Sequence, residues 1–144
     1  ECNQRRMMDI KNVYKIAQRA MGAQLVRLNA IASNLANADN IAQNPQDAYR
    51  PVKPVFETKY FDLIRKRGIS TVDAVTVEKM DIEPIKVYKP GHPMADNEGF
   101  IYKAPVDVEE EYVDMLEASR QYQNNVEVIT TIKALMLKTA NMGK

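Results

Sequence analysis

Residues 107–140 read DVEEEYVDMLEASRQYQNNVEVITTIKALMLKTA. Within them Val108, Tyr112, Met115, Ser119, Tyr122, Val126, Ile129, Lys133, Met136 and Ala140 step by alternating fours and threes, and only Lys133 departs from apolar or small character. Fours and threes are the spacing of a coiled-coil seam. Asp107 stands at the expected N-cap with Glu110 three residues on, the capping-box spacing. Acids fill the first turns and Lys133, Lys138 and Lys144 fill the end, an order that matches the helix dipole. The pattern predicts a helix from Val106 or Asp107 to Ala140, about 50 Å long at 1.5 Å per residue.

A second stripe lies near the other end. Met21, Leu25, Leu28, Ala32 and Leu35 repeat the spacing, which predicts a helix from about Asp9 to Asn37. Asp9 serves as its N-cap or sits in its first turn, and residues 1–8 are polar and expected to be loose. Gly22 either weakens this helix or permits close approach of another. Asn37-Ala38-Asp39-Asn40 is helix-ending and turn chemistry.

The language changes between the stripes. Residues 38–54 read as a loop, with Asn44-Pro45 marking a turn and Pro51 and Pro54 barring helix. Residues 55–61, 71–77 and 82–88 are β-prone, and the facing of the second run is ambiguous. Residues 62–70 are either a hairpin tip or a solvated loop. Turns at 89–93 and 96–99 precede a short strand at Phe100-Ile101-Tyr102. The expected architecture is mainly α with a small β insert: a terminal helix in 1–38, a loop and β-rich middle segment in 39–106, and a terminal helix in 107–144. The terminal helices are expected to form a coiled-coil-like pair. A small insert leaves most of two such long helices uncovered. Either they fold as an internal hairpin in a small monomer, or they bury their stripes on neighbouring copies. The second is preferred because both helices are long and the insert is small.

Composition narrows the function class. Net charge is +1, and basic clusters lack the interleaved aromatics of single-strand binding, so no nucleic acid is expected. No run of about 18 apolar residues offers a membrane span. Arg5 and Arg6 precede no continuous apolar stretch, since Lys11, Lys15 and Arg19 interrupt it, so a cleavable secretory signal is not expected. Cys2 is the single cysteine and has no partner within the chain for a disulfide. His92 is the single histidine, set between Gly91 and Pro93. It reads as a polar turn residue rather than a general base or ligand. The acids from Asp107 to Glu117 read as a dipole-matched helix start rather than a cation site. No serine has a nucleophile elbow, and no phosphate loop or dinucleotide fingerprint occurs. Neither catalysis, a cofactor, a metal nor a small-molecule substrate is expected.

Charge is uneven along the helices. The first opens basic and the last ends basic, while the last begins acidic. Stacking a basic tip of one copy on the acidic root of another is a heterologous contact that builds open helical assemblies, and it predicts assembly that weakens with salt.

Leu28-Asn29-Ala30-Ile31-Ala32-Ser33-Asn34-Leu35-Ala36-Asn37-Ala38-Asp39 resembles the N-terminal signature of bacterial flagellar rod and hook proteins. Tyr88-Lys89-Pro90-Gly91-His92-Pro93-Met94-Ala95-Asp96, then Gly99-Phe100 and Val106-Asp107-Val108, narrow the resemblance to the proximal-rod members of the basal-body rod family. So do Ala118-Ser119-Arg120-Gln121-Tyr122-Gln123-Asn124-Asn125-Val126-Glu127-Val128 and Met136-Leu137-Lys138-Thr139. The resemblance runs from about Tyr14 onward; residues 1–12 and 55–80 depart from it.

The resemblance implies a non-enzymatic subunit of the flagellar basal body, exported through the flagellar type III apparatus. It implies a periplasm-spanning tube formed with itself and other rod proteins, seated on basal-body ring and rod-adaptor proteins. Such a tube transmits torque and encloses the export channel. The subunit contacts expected on this reading are Met21, Leu25, Leu28, Asn29, Ala32, Asn34, Leu35 and Asn37 in the first helix. In the last helix they are Tyr112, Met115, Ser119, Tyr122, Val126, Ile129 and Met136. The three asparagines are open to two readings: exposed surface or helix end, or hydrogen bonding across subunit contacts and toward the lumen. A soluble helical adaptor or export chaperone is the competing function class. A cell-wall hydrolase is a weaker one, since no carboxylate pair sits in a recognisable cleft context.

Overall fold

A computed structural model of the chain describes residues 2–59 and 71–141, with side chains described over 10–56 and 76–141. Two long helices, α1 (Cys2–Ala36) and α2 (Val108–Asn141), lie at the two ends of the sequence. Between them come β1 (Ile41–Ala42), β2 (Val52–Lys59), β3 (Thr71–Lys79), β4 (Ile85–Tyr88) and β5 (Phe100–Lys103). The strands form a three-stranded sheet in the order β1-β5-β4, antiparallel throughout, and a two-stranded sheet β2-β3. The expected architecture of two terminal helices about a small β insert is therefore present.

Several boundaries differ from expectation. α1 begins at Cys2 rather than near Asp9. Gln4, Arg5, Arg6, Met7 and Met8 are polar or long, yet straight-chain residues lose little entropy in a helix, so polarity is no sign of looseness. The stretch read as a loop at 38–54 contains β1 and the start of β2. The run read as a strand from Ile82 begins at Ile85, because Pro84 has no N–H to give a ladder. Residues 62–70 lie outside the described residues.

Helix ends follow local chemistry. At α2 the Asp107 carboxylate accepts from the N–H groups of Glu109 at 2.9 Å and Glu110 at 3.2 Å, the N-cap role its sequence position announced. At α1 the ending uses no left-handed asparagine, since no non-glycine described residue has positive φ. The last turn tightens instead. Asn37 N–H reaches Asn34 O at 3.2 Å and Ala38 N–H reaches Leu35 O at 3.3 Å, both i→i+3 bonds. Asn37 Nδ2 donates to Ser33 O at 2.8 Å and Asn40 Nδ2 to Asn37 Oδ1 at 2.7 Å, so Asn37 acts as a helix-end residue.

The chain divides into two compact units. Unit 1 comprises Glu1–Val26, Phe56–Val75 and Glu117–Lys144; unit 2 comprises Arg27–Val55 and Thr76–Leu116. In unit 1 the buried apolar side chains are small or β-branched: Ala17, Ala23, Ala118 and Ile132. In unit 2 they are Ala30, Ile31, Ala38, Ala42, Ala48, Ile101 and Ala104. Ile101, on the central strand β5, is 2% exposed and pairs with Val87 across the sheet. An alanine-dominated core lets backbones approach closely but buries little apolar area per residue.

The turn before β5 is tied down. Asp96 accepts from the N–H groups of Phe100 at 2.8 Å and Glu98 at 2.9 Å, and from the Tyr102 hydroxyl at 3.3 Å. The Phe100 N–H, foremost among these donors, holds the Asp96 carboxyl below the usual carboxylate range. Gly99 has φ +83°, and a Cβ there would sit 3.0 Å from Pro90 Cβ and 3.1 Å from Tyr88 Cε2. Both the backbone and the space demand glycine. Gly99→Ala is expected to cost about 1–3 kcal/mol, read as a lowered midpoint in thermal unfolding. His92 takes the turn role expected of it: its Nδ1 accepts from Met94 N–H at 3.1 Å.

Candidate functional site

The packed face of α2 is not the stripe its apolar residues suggest. Glu111, Ala118 and Ile132 are buried, and Met115, Tyr122, Asn125, Ile129 and Met136 are half-buried. These positions, 111-115-118-122-125-129-132-136, also step by fours and threes. They share Met115, Tyr122, Ile129 and Met136 with the expected seam, but replace Tyr112, Ser119, Val126 and Lys133 by their preceding neighbours. Tyr112, Val126 and Lys133 are exposed and Ser119 is half-buried. Lys133, the one misfit of the apolar stripe, is thus a solvated residue beside buried Ile132.

α1 behaves the same way. Its internal face carries Ala17, Ala23, Ala30, Ile31 and Asn34. The leucine stripe runs along the edge of that face. Leu25 is 46% exposed, Asn29 and Ala32 are exposed, and Met21, Leu28, Leu35 and Asn37 are half-buried. Gly22 is exposed with nothing within 4 Å of where a Cβ would be.

Asn34 is the exception among the expected contact residues: it is 1% exposed. Its amide uses its full hydrogen-bonding capacity inside unit 2. Nδ2 donates to Val52 O at 3.0 Å and to Glu111 Oε1 at 2.8 Å. Oδ1 accepts from Val52 N–H at 2.8 Å and from the Tyr49 hydroxyl at 3.0 Å. The amide thus pairs with both backbone groups of Val52 as a neighbouring strand does, and seats the first residue of β2 against α1. Tyr49 in turn lies 3.1 Å from Ser33 Oγ. Within one chain the Asn34 amide is therefore spent on internal partners.

The same network joins the helices of unit 2. Besides Asn34–Glu111, Arg27 Nη2 lies 3.2 Å from Asp114 Oδ1. The partner number falls along α2 as it rises along α1, so the two segments run antiparallel there. The partly exposed ion pair adds at most about 1 kcal/mol; the buried amide is the stronger tie.

Burial pushes the Glu111 carboxyl above its usual range, against the Asn34 hydrogen bond, which favours the charged form. Between its unfolded and folded values the group therefore binds more proton in the native chain than in the unfolded one. Stability from this group is present on the acid side and lost as pH rises through the folded-state value. Glu111→Gln keeps an acceptor for Asn34 Nδ2 without the charge. It is expected to be more stable than the parent at neutral pH in urea unfolding, with the difference shrinking on acidification.

No helix among the described residues is long and apolar enough to cross a membrane. Among the described residues no group of three or more His, Cys, Asp or Glu is placed to hold a metal ion.

Two family models match the chain. One, for flagella basal body rod proteins, covers residues 15–42; the other, for the C-terminal part of flagellar basal body rod FlgEFG proteins, covers residues 97–142. The chain is 39% identical over 137 residues to the flagellar basal-body rod protein FlgC of Escherichia coli O6:H1, across 95% of this chain and 100% of that protein. The FlgC of Salmonella typhimurium matches to the same extent, at 39%. That of Yersinia enterocolitica is 38% identical over 138 residues, again across 95% and 100%. The chain belongs to the FlgC family of flagellar basal-body rod proteins. The first matched segment contains both Asn34 and the leucine stripe, and the second contains Gly99, Glu111 and all of α2. The segment Ser33-Asn34-Leu35-Ala36-Asn37, inside the residues matched to flagella basal body rod proteins, thus has a physical content: Asn34 seats a strand, and Asn37 closes a helix.

Proposed function

We propose that this chain is a structural, non-enzymatic subunit of the flagellar proximal rod. The observation that carries the reading is the split between the two faces of each helix. The internal faces are built from alanine, isoleucine and hydrogen-bonded polar groups, while Leu25, Tyr112, Val113, Leu116, Leu135 and Leu137 stand exposed. So many large apolar side chains left in water on two helices mark surfaces that other helices cover. Residues 1–38 and 107–144 form the inner layer as a coiled-coil-like pair, and 39–106 forms an insert on its outer side. Met21, Leu25, Leu28, Asn29, Ala32, Leu35 and Asn37 meet neighbouring subunits. So do Tyr112, Ser119 and Val126, together with the outer edges of half-buried Met115, Tyr122, Ile129 and Met136. Neighbours are copies of this chain and other rod proteins, with ring and rod-adaptor proteins at the base.

The mechanism is mechanical. The helices line a tube that spans the periplasm, passes torque outward and encloses the export channel, after delivery by the flagellar type III apparatus. Close-packed side chains resist sliding of one helix past the next, which is what a drive shaft requires.

A test replaces the resident FlgC-family subunit of a flagellated bacterium by a tagged version of this chain. Recovery of the tag in purified basal bodies, with motility restored, is the expected result. Tagged protein that accumulates in the cell but is missing from basal bodies overturns the proposal. The alternative, a soluble helical adaptor or export chaperone, is not favoured, since the relatives that match 95% of the chain are rod proteins.

A further inference from the structure

The first turns of α2 carry an apolar patch. Val108, Tyr112 and Leu116 lie one turn apart along the helix with Val113 beside them, and all four are exposed, Leu116 at 68%. The patch faces away from buried Glu111 and Ala118. Glu109 and Glu110, both exposed, border it. A second exposed group lies on α1, where Val13 and Tyr14 are bordered by exposed Lys11 and Lys15. Each patch is uncovered in the unit to which it belongs. The α2 patch is the larger, with four apolar side chains against two, and the two are opposite in charge.

We propose that these patches are mates: the glutamate-bordered patch of one copy receives the lysine-bordered patch of a second copy. This rests on the rod reading and deepens it, naming which surfaces of two copies meet. Apolar burial supplies the adhesion. The charged borders supply register and exclude the wrong pairing, since either patch placed against itself opposes like charges. Two different patches meeting make a heterologous contact. Each added copy then leaves one free patch of either kind, so growth is open-ended rather than closed in a dimer.

The test mixes nitrogen-14 and nitrogen-15 full-length chains and couples them with a zero-length carbodiimide, which joins a lysine amine to a carboxylate it touches. Mixed-isotope peptides linking Lys11 or Lys15 to Glu109 or Glu110 are expected. Glu109→Lys with Glu110→Lys should lower association by about tenfold in sedimentation, and Lys11→Glu with Lys15→Glu in the partner copy should restore it. Restoration also shows that the reversed chains fold. Mixed-isotope links that avoid both borders, no mixed links at all, or a double reversal that fails to restore association each overturn the inference. The rod reading is judged separately, by recovery in basal bodies, whichever surfaces meet.

Discussion

Replacing Asn34 by alanine is expected to lower the stability of unit 2 by about 3–4 kcal/mol. The change deletes four hydrogen bonds and leaves Val52 N–H, Val52 O and the buried Glu111 carboxylate without this partner. Each stranded buried polar group costs about 1–3 kcal/mol, and the shared network makes the sum smaller than its parts. Urea unfolding of the full chain gives the magnitude. Amide exchange at Val52 gives the place, with protection lost there first. Asn34→Asp separates the donor half from the acceptor half. Oδ1 and its two bonds survive, but a carboxylate then faces Val52 O and Glu111. Its defect should deepen as pH rises and both acids ionise. Wild-type stability in Asn34→Ala would mean that β2 is seated by something other than this amide.

Leu25→Glu and Leu116→Glu should behave in the opposite way. Both side chains are exposed, at 46% and 68%, so the isolated chain should unfold within about 0.5 kcal/mol of the parent. Incorporation into basal bodies should nonetheless fall by about a hundredfold, because assembly would bury an unpaired carboxylate at a cost of several kcal/mol. The measurement is the fraction of tagged chain recovered with basal bodies, beside its unfolding curve. Normal incorporation of both variants would remove these positions from the interface.

The contrast between Asn34 and the leucines shows how far the sequence is legible. Two long helices and a β-bearing middle follow from periodicity and turn chemistry, because those signals are local. Which face of a helix points inward is not local. On α2 the stripes 108-112-115-119 and 111-115-118-122 have the same spacing and differ by one residue at alternate positions. Apolarity favours the first, since it rewards Tyr112 and Val126 over Glu111 and Asn125. The chain packs the second, because Ala118 admits a close neighbour and Glu111 finds the Asn34 amide. Lys133 carried a clue, as a charge in an otherwise apolar stripe asks for a neighbouring register. On α1 the leucines drew attention that belonged, within one chain, to Ala17, Ala23, Ala30 and Ile31. Hydropathy has no way to separate a side chain that packs within its own chain from one reserved for another molecule. Asn29, Asn34 and Asn37 look equivalent in sequence, yet only Asn34 has Val52 and Glu111 within reach, and those contacts depend on tertiary placement.

One consequence of the Asn34 network concerns strain rather than stability. A single amide is fastened at once to α1, through its own backbone, to the first residue of β2, and to the opening turn of α2. Force entering unit 2 along either helix therefore reaches the strand through a rivet of three short bonds rather than through pliable loops. Such a junction makes three elements yield together or not at all.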